Sequence, residues 1–460
     1  MYNNGTTEHW SSSSVFYHIY PLGCFGAPTK NNFSSSVVPR LKEIAKWLPH
    51  LKKLHINAIY LGPVFESSAH GYDTADYFKV DRRLGDNQTL KEMVALLHKN
   101  DMRVILDGVF NHVGRDFFAF RDLQDKGVNS SYRDWFANID FSKHSPYGDI
   151  FTYAGWNGNF DLVKLNLQNP AVPDYLIKAV DYWIENFKID GLRIDTADCV
   201  DINFLQQLSS HCKAKQPNFW LMGEVIHGDY AHWVNVKALD SVTNYECYKG
   251  IYSSLDDKNY FEIAYSLNRQ FGDNGIYKHF LPYSFVDNHD VNRLTSNLTN
   301  PKHVFPAYCL LFTIPGIPSI YYGSEWGISG CRTQNDDKAL RPAIDPTTIS
   351  IDPAYKDLPG YIAKLSQIRL GSSALQIGSY RQIFVGHEQF AFLRETEMER
   401  VLVIVNSSKS KTDMLISELP DSFRTAADLI SGDQYHIKQG KLYLPELPPA
   451  AGNILRIELG

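Results

Sequence analysis

The sequence has no surplus of basic residues. Among its 460 residues, 45 Lys and Arg stand against 51 Asp and Glu, which gives a formal net charge of −6. Proteins that bind nucleic acid through phosphate contacts usually have a net basic surface, so no nucleic acid is expected as a partner. The hydrophobic share of 44% is that of an ordinary globular protein. A chain of this length fits one large barrel-type domain with appendages, or two to three domains.

Long apolar runs are also missing. No window approaches the roughly 18 apolar residues of a membrane-spanning helix, and residues 1–20 have neither the basic residues nor the apolar stretch of a signal peptide. The six cysteines lie far apart and form no CxxC pair, which indicates reduced thiols. These absences predict a soluble cytoplasmic protein with no membrane partner. An exported protein given without its signal would have the same sequence pattern.

Short β-branched or aromatic runs alternate with longer amphipathic segments, a pattern typical of repeated βα units. The eight predicted strands are Val15–Pro21, Ala58–Val64, Arg103–Phe110, Gly191–Ala197, Phe219–Val225, Ser241–Tyr245, Tyr283–Asn288 and Ser319–Tyr322. The predicted helices are Val38–His55, Thr89–Asn100, Val172–Phe187, Asn203–Ala214, Tyr260–Phe271, His303–Phe312 and Tyr361–Leu370. This α/β pattern predicts a (β/α)₈ TIM barrel, with its active site at the carboxyl ends of the strands.

Two regions depart from this alternation of strands and helices. Residues 113–169 are too many for a βα loop, which indicates an inserted subdomain after strand 3. After about residue 373, short alternating runs separated by Gly, Asn, Ser and Pro predict a C-terminal antiparallel β domain. We therefore assign 1–112 and 170–372 to the barrel, 113–169 to the insert, and 373–460 to a C-terminal β-sandwich.

Charged residues gather at the predicted strand ends. In the run GLRID, the two-residue period of a strand places Arg193 and Asp195 on one face. A neighbouring cation lowers the pKa of an Asp, so Asp195 is expected to be ionised and available as a nucleophile. A structural Arg–Asp pair inside the barrel explains this segment equally well.

The next strand is apolar until Glu224, and a Glu at the end of a buried strand needs a partner or a role. If Glu224 faces Asp195, burial and the nearby negative charge raise its pKa, and a protonated Glu can act as a general acid. The alternative is a Glu that points to solvent.

Two further strand ends are dense in polar residues, Asp107–His112 (DGVFNH) and Phe285–Asp290 (FVDNHD). A divalent metal site is the competing interpretation of such Asp and His clusters. No two histidines have i, i+4 spacing in these segments, and the acids outnumber the imidazoles, so we predict no metal ligands here.

Six motifs occur in a fixed order. They are Gly71–Tyr77 (GYDTADY), Asp107–His112, Gly191–Asp195, Gly223–Glu224, Phe285–Asp290, and Tyr322–Gly323 with Glu325. In these residues the chain resembles glycoside hydrolase family 13, the α-amylase family, over essentially its whole length. The resemblance implies that Asp195 is the nucleophile, Glu224 the general acid/base and Asp290 the third acid. It further implies that the subsite before the scissile bond is lined by Tyr72, His112, Arg193 and His289, with Asp107 as a supporting residue.

The chain departs from the family's calcium-binding pattern. In many α-amylases, an acidic residue of the insert binds a structural calcium together with the Asn of DGVFNH. Here Lys164 stands at the place of that acid, and an ammonium group cannot ligate a cation. The Lys-His that follows the nucleophile in calcium-bearing relatives is replaced by Ala197-Asp198. We therefore expect no required cofactor and no calcium at this site.

The run Leu162–Asn166 (LVKLN) and the segment starting at His70 resemble the neopullulanase and cyclomaltodextrinase branch. Members of that branch commonly have an N-terminal β domain that helps them form dimers. The first predicted strand begins by about Val15, which leaves no room for that domain, so a monomer or weak homodimer is expected. Asp73 and Arg341 occupy positions near those of an acid–Arg pair that blocks the non-reducing end in exo-acting relatives. A structural ion pair is the alternative, which leaves endo or exo action open.

The expected function is a retaining α-glucan hydrolase that cleaves α-1,4 bonds of maltodextrins or starch fragments. A cyclomaltodextrinase, a neopullulanase or a 4-α-glucanotransferase would use the same residues, and the motifs do not separate them. A non-catalytic sugar-binding homologue is a remote alternative, because such proteins lose one of the acids, and Asp195, Glu224 and Asp290 are all present.

Overall fold

A computed structural model describes residues 9–334 and 336–459, and a parallel barrel of eight strands forms its centre. Each barrel strand pairs with its neighbours in chain order, and the first pairs with the eighth through Phe16 and Ser319. A bridge between Thr243 and Tyr283 links the sixth strand to the seventh. The strands are Phe16–Ile19, Ala58–Leu61, Arg103–Gly108, Gly191–Ile194, Trp220–Gly223, Ser241–Val242, Tyr283–Ser284 and Ile317–Tyr321. The predicted (β/α)₈ barrel is confirmed.

Helices surround the barrel and cover the outward faces of its strands. The α-helices of this layer are Pro21–Cys24, Ile44–Lys53, Asn87–His98, Ala171–Phe187, Ile202–Lys215, Tyr245–Asp256, Phe261–Phe271, Leu294–Asn297, Val304–Thr313, Leu358–Leu370 and Ser373–Ile377. Short 3₁₀ helices are Trp10–Ser13, Arg40–Glu43, Ala197–Cys199, Tyr230–His232, Pro301–His303, Ser324–Trp326, Lys338–Leu340 and Pro353–Tyr355. Leu192 and Ile194 of the fourth strand belong to this outer core, which leaves Arg193 on the inner face.

The seventh strand ends at Ser284 rather than at the predicted Asn288, and the sixth strand differs more. The predicted sixth strand reached Tyr245, but the strand ends at Val242 and Tyr245 begins a helix that the sequence analysis missed. Asn244 causes the change, because its side chain accepts a hydrogen bond from Cys247 N and caps that helix. The helix therefore presents Tyr245 beside the strand ends.

The insert after the third barrel strand is a small subdomain with its own sheet. Its strands are His112–Gly114, Gly155–Trp156 and Asn159–Lys164, and its helices are Phe118–Lys126, Gly127–Asn129 and Arg133–Trp135. A hairpin of Phe65–Ser67 and Thr74–Val80 lies after the second barrel strand and ends next to the insert, where Gly114 approaches the backbone of Asp73. A Cβ at Gly114 would lie 2.3 Å from the carbonyl oxygen of Asp73, so this contact requires glycine.

The C-terminal region is one antiparallel sheet of eight strands rather than two separate sheets. Its strands are Ser379–Val385, Gln389–Glu395, Arg400–Asn406, Thr412–Ile416, Phe423–Asp428, Gln434–Lys438, Lys441–Leu447 and Ala451–Leu459. Side chains from distant strands of the sheet, among them Leu393, Met414 and Leu444, share one core. The sheet therefore folds over on itself. The predicted domain boundaries at 112/113, 169/170 and 372/373 stay predictions. In the described part of the chain, no helix combines the length and apolar character needed to cross a membrane.

Candidate active site

Aromatic side chains fill the interior of the barrel and form the floor of the site. Phe16 stacks on Trp220 at 5.2 Å between ring centres, and Tyr60 and Tyr283 pack with them. Polar residues lie above this floor, where the strands end. Tyr60 joins the two layers, because its hydroxyl donates a 2.7 Å hydrogen bond to Asp107 Oδ2.

Arg193 stands at the centre of the site and contacts three carboxylates. Its Nη1 lies 2.7 Å from Asp195 Oδ1 and 2.9 Å from Asp107 Oδ1, and its Nη2 lies 2.8 Å from Glu224 Oε2. Asp195 and Glu224 are therefore held by the two terminal nitrogens of one guanidinium group, which brings their carboxyl groups close together. The planar fork of an arginine is suited to such bridging. Arg193 itself is only 2% exposed.

Backbone and tyrosine contacts orient Glu224. Its Oε2 accepts a 3.0 Å hydrogen bond from Thr196 N in addition to the contact with Arg193. Its Oε1 has a longer contact of 3.4 Å with the hydroxyl of Tyr245. Thr196 has a φ of +42°, a left-handed conformation that is strained for a β-branched residue and that often marks functional sites. This strained turn aims the Thr196 amide at the acid.

Asp290 lies on the other side of the site, next to cationic and imidazole groups. Its Oδ1 is 2.8 Å from Arg341 Nη2, and its Oδ2 is 2.9 Å from His289 Nε2. The same His289 nitrogen contacts the hydroxyl of Tyr72, whose ring stacks on the imidazole at 5.6 Å. Tyr72 also reaches Asp107 Oδ2 at 3.2 Å, which connects the Asp290 group to the Arg193 group.

The pKa values of the central pair are raised. Burial raises the pKa of Asp195 well above its ordinary value, and the charges of Glu224 and Asp107 add to this effect, while Arg193 opposes it. Burial also raises the pKa of Glu224, with Arg193 opposing and Asp290 adding. Three acids surround one cation, so Asp195 and Glu224 lose their protons at higher pH than exposed carboxyls do. The sequence argument expected a lowered pKa for Asp195 and was wrong, because it counted Arg193 but neither burial nor the other acids.

The pKa values of Asp290 and His112 are lowered instead of raised. Burial opposes ionisation of Asp290, but His289, Arg341 and Arg193 outweigh it and hold its pKa below the ordinary value. Burial lowers the pKa of His112 to about 3, with His70 and Arg193 acting in the same direction, so this imidazole is neutral near pH 7. Its Nε2 lies 3.8 Å from Asp195 Oδ2. Asp290 therefore ionises at lower pH than Asp195 and Glu224 do.

The structure joins nine of the ten residues predicted for the site in one network of contacts. Asp73 is the tenth, and it does not pair with Arg341. Asp73 Oδ1 accepts hydrogen bonds from the backbone amides of His70 and Gly71, both at 3.1 Å, and so closes the turn before Tyr72. Arg341 pairs with Asp290 and, at 3.4 Å, with Asp337. Within residues 9–334 and 336–459, no ion pair joins Asp73 to Arg341. The two residues lie near the site, but the acid–Arg pair considered from the sequence does not form.

The residues at the family's calcium position do not suit that ion. Lys164 lies in register with His112 in the sheet of the insert, and the Asn111 side chain donates a 3.2 Å hydrogen bond to His112 Nδ1. The ammonium group of Lys164 brings positive charge to this place but no ligand oxygen. No step proposed below uses a metal ion.

Sequence reasoning missed several residues of the site. Tyr245 contacts Glu224, and its hydroxyl also accepts a 3.2 Å hydrogen bond from Asn288. Tyr20 lies under Arg341, whose guanidinium carbon is 4.6 Å from the ring centre. Both tyrosines sit where a predicted strand ends or has just ended, so position on the barrel was the available signal. The contact of Thr196 is made by its backbone, which no side-chain motif records.

Comparison with known proteins agrees with the resemblance found in the sequence motifs. Residues 31–358 match the model of the α-amylase catalytic domain, and residues 380–454 match that of the maltogenic amylase C-terminal domain. A cyclomaltodextrinase from a Bacillus species is 31% identical over 87% of this chain and 74% of its own length. Neopullulanase 2 of Thermoactinomyces vulgaris is 31% identical over 98% of this chain and 78% of its own length.

Solved structures agree with these matches. A cyclomaltodextrinase has a TM-score of 0.86 at 28% identity, covering 98% of this chain and 78% of that one. The α-amylase of Geobacillus thermoleovorans, complexed with acarbose, has a TM-score of 0.82 at 25% identity, covering 98% and 99%. The catalytic-domain match spans most of the described barrel, and the six motifs lie within it. The chain therefore belongs to the α-amylase family of glycoside hydrolases, family 13, as its motifs predicted.

Proposed function

We propose that this glycoside hydrolase cleaves α-1,4-glucosidic bonds of maltodextrins with retention of configuration, through a glycosyl ester on Asp195. The observation that carries the proposal is the Arg193 fork, which holds Asp195 and Glu224 at its two ends. Retaining glycosidases need their two carboxyl groups roughly 5–5.5 Å apart, close enough for one to attack the sugar while the other protonates the leaving oxygen. The arrangement around Arg193 supports this spacing.

In the first step, an Asp195 oxygen attacks the anomeric carbon of the bound glucose unit. Oδ1 is held by Arg193, so Oδ2, which lies 3.8 Å from the neutral His112, is the attacking atom. The bond from the anomeric carbon to the glycosidic oxygen breaks, and its electron pair takes a proton from Glu224. Oε2 of Glu224 accepts from Arg193 and from Thr196 N, which leaves Oε1 to carry that proton.

In the second step, Glu224 removes a proton from a water molecule. The water oxygen attacks the anomeric carbon, the ester bond breaks, and Asp195 leaves as a carboxylate. Positive charge develops on the sugar ring in both steps. Asp290 remains ionised next to His289 and Arg341, so we assign it the role of binding sugar hydroxyls and stabilising that charge.

Tyr72, His112, His289 and Arg193 then line the subsite before the scissile bond. Tyr72 offers an aromatic face suited to a glucose ring, while Asp107 orients Arg193 and the hydroxyls of Tyr60 and Tyr72. Asp73 and Arg341 support this subsite from its edge. We propose no required cofactor. A cytoplasmic location is part of the proposal, supported by a relative named an intracellular maltogenic amylase from Bacillus subtilis, which is 30% identical.

The test is a comparison of products from linear maltodextrin, a cyclodextrin and pullulan, for the wild-type chain and for Asp195→Asn. We expect reducing sugar from linear maltodextrin with the wild-type chain and none with the variant. Absence of activity on all three substrates would contradict the proposal and favour a sugar-binding homologue. Products longer than the substrate, made from maltotetraose, would contradict pure hydrolysis and indicate glucanotransferase activity.

Cyclic substrates are the second candidate. Two relatives at 31% identity, from a Bacillus species and from Thermoanaerobacter pseudethanolicus, are named cyclomaltodextrinases. The same experiment decides between the two, because a cyclomaltodextrinase opens the cyclodextrin faster than it cleaves a linear chain of equal length.

A further inference from the structure

A fully buried arginine, Arg293, lies three residues after Asp290. No step of the proposed reaction uses it. Its guanidinium carbon lies 4.0 Å from the ring centre of Tyr321, the last residue of the eighth barrel strand. A buried cation needs partners for its hydrogens, and the place of those partners indicates what the side chain holds together.

The two terminal nitrogens of Arg293 bind different parts of the chain. Nη1 donates to the carbonyl oxygen of Tyr322 at 2.7 Å and to Ser324 Oγ at 3.0 Å, just after the eighth strand ends. Nη2 donates to the carbonyl oxygen of Leu340 at 2.8 Å. The planar fork of the arginine therefore fastens the backbone at Leu340 to the end of the eighth strand.

Leu340 is the anchor of a loop that is otherwise in contact with solvent. Residues 331–334 and 336–339 are exposed or partly exposed, whereas Leu340 is fully buried. Its carbonyl oxygen accepts a second hydrogen bond, of 2.9 Å, from the hydroxyl of Tyr321. The next residue along the chain is Arg341, so the anchor at Leu340 fixes the backbone from which the Arg341 side chain extends.

Arg341 reaches from this anchor to the third acid of the site. Its Nη2 lies 2.8 Å from Asp290 Oδ1, and its Nε donates to the carbonyl oxygen of His289 at 3.0 Å. Asp290 belongs to the loop after the seventh strand, as Arg293 does. We propose that Arg293 is a positioning residue, which holds the backbone before Arg341 so that Arg341 can fix the carboxylate of Asp290. The proposal rests on the hydrolase function above.

The charge of Arg293 has a separate partner. Asp287 is buried, and Arg293 opposes the rise in its pKa that burial causes. Ser324 connects the two, because its Oγ accepts from Arg293 Nη1 and donates to Asp287 Oδ2 at 2.8 Å. A lysine at position 293 would keep this charge, but its single ammonium group lacks the fork that reaches Leu340 as well.

The test begins with Arg293→Lys, for which kcat/KM on maltoheptaose is measured per folded molecule. We expect a fall of about 10- to 100-fold, the size of the loss that a misplacement of about 1 Å causes. Tyr321→Phe removes only the second donor to the Leu340 carbonyl oxygen and should lower kcat/KM by a smaller factor. It also provides the test should Arg293→Lys fail to fold. Unchanged kcat/KM in Tyr321→Phe and in folded Arg293→Lys overturns the proposal.

Arg369→Lys is the matched control, because Arg369 is a buried arginine at the opposite end of the same strand. Its Nη2 donates to the carbonyl oxygen of Gly316 at 2.6 Å, just before the eighth strand begins. The same substitution there should lower stability but leave kcat/KM per folded molecule near the wild-type value. A fall equal to that of Arg293→Lys would indicate general destabilisation and overturn the proposal.

A double variant tests whether Arg293 acts through Arg341. When Arg341→Met is already present, Arg293→Lys should lower kcat/KM by less than about 3-fold, because the side chain that it positions is gone. If the losses of the two single variants multiply instead, Arg293 acts by another route and the proposal is overturned.

Stability at acid pH gives a readout that needs no turnover. In Arg293→Lys, His289 and Arg193 still face Asp290, but a displaced Arg341 should lower its pKa less. Urea unfolding should then show the acid-induced loss of stability at higher pH than in the wild-type chain, with no such shift in Arg369→Lys. An unshifted loss overturns the positioning role. A wild-type chain that cleaves no glucan contradicts the hydrolase function, while this measurement still decides whether Arg293 positions Arg341.

Discussion

Two of the sites where the protein buries arginine differ in the partners that the arginine contacts. Arg193 in the active site contacts Asp107, Asp195 and Glu224, all of which are titratable. Arg369, where the barrel meets the C-terminal sheet, donates to the carbonyl oxygens of Phe312, Leu375 and Gly316. Nearby Arg394 likewise donates to the carbonyl oxygens of Thr313 and Gly378.

This difference separates a catalytic arrangement from a structural one. Carbonyl oxygens cannot change their charge, so none of these partners of Arg369 titrates. Burial and the neighbouring Arg394 lower the pKa of Arg369, which shows the cost of placing two cations together. Around Arg193, in contrast, all three partners titrate, and burial together with neighbouring acids raises the pKa of Asp195 and of Glu224.

The largest expected effect is on turnover at the titratable centre. Asp195→Asn keeps the shape of the side chain but removes the nucleophile, so kcat on maltodextrin should fall by roughly 10⁴-fold or more. Binding of maltodextrin, measured by calorimetry, should remain detectable because the sugar-binding groups are intact. Retained turnover would remove the nucleophile assignment.

The second prediction compares the two arginines directly. Arg193→Met leaves three buried acids without their cation and should abolish activity while lowering the free energy of unfolding by about 3–5 kcal/mol. Arg369→Met should lower that free energy as well, because it leaves buried carbonyl oxygens unpaired, but kcat per folded molecule should stay near the wild-type value. Urea unfolding and active-site-normalised kinetics measure both quantities. Equal losses of kcat in the two variants would contradict the assignment of a catalytic role to Arg193 and a structural role to Arg369.

Arg341 offers a test of pH dependence. His289 and Arg341 hold the pKa of Asp290 down against the effect of burial. The ion pairs of Asp290 therefore stabilise the fold at pH values above the pKa of an unfolded Asp, about 3.9. This stabilisation is lost as the pH falls through the pKa of Asp290 in the folded protein. Arg341→Met should raise that pKa. The acid-induced loss of stability, followed by urea unfolding as the pH is lowered, should then begin at higher pH.

Arg332→Met is the control for this shift. Arg332 contacts the carbonyl oxygen of Asp290 at 3.4 Å and the carboxylate of Asp337, but it forms no ion pair with the Asp290 carboxylate in the described part of the chain. Its loss of stability at acid pH should coincide with that of the wild-type chain. An unshifted profile in Arg341→Met would show that Arg341 does not set the charge of Asp290.

The smallest expected effect concerns the fixed cation of the insert. Lys164, in register with His112, brings an ammonium group to the position where the calcium-binding pattern described above has an acid, and an ammonium group needs no metal. A chelator should therefore change the activity and the melting temperature little. A marked fall in either value, reversed by added calcium, would mean that the argument from Lys164 is wrong.

The sequence predicted the barrel and its strand ends because both follow local rules. Period-two alternation placed Arg193 and Asp195 on one face, and their 2.7 Å contact confirms it. Local rules did not predict two other features, a helix after the sixth strand and the pKa of Asp195. The segment Tyr245–Asp256, which contains three tyrosines and one glycine, hid a helix that a single cap at Asn244 begins. The pKa of Asp195 depends on burial and on acids from two other strands, which only the assembled barrel brings together.

The most direct test of the account is to trap the sugar on the enzyme. Incubation with 5-fluoro-α-maltosyl fluoride, which forms the glycosyl ester quickly and hydrolyses it slowly, is followed by peptic digestion and mass spectrometry. We predict one maltosyl adduct, on the peptide that contains Asp195, and an α-configured sugar as the first product of normal turnover. An adduct on Glu224 or Asp290, or a β-configured first product, would contradict the central role given to Asp195.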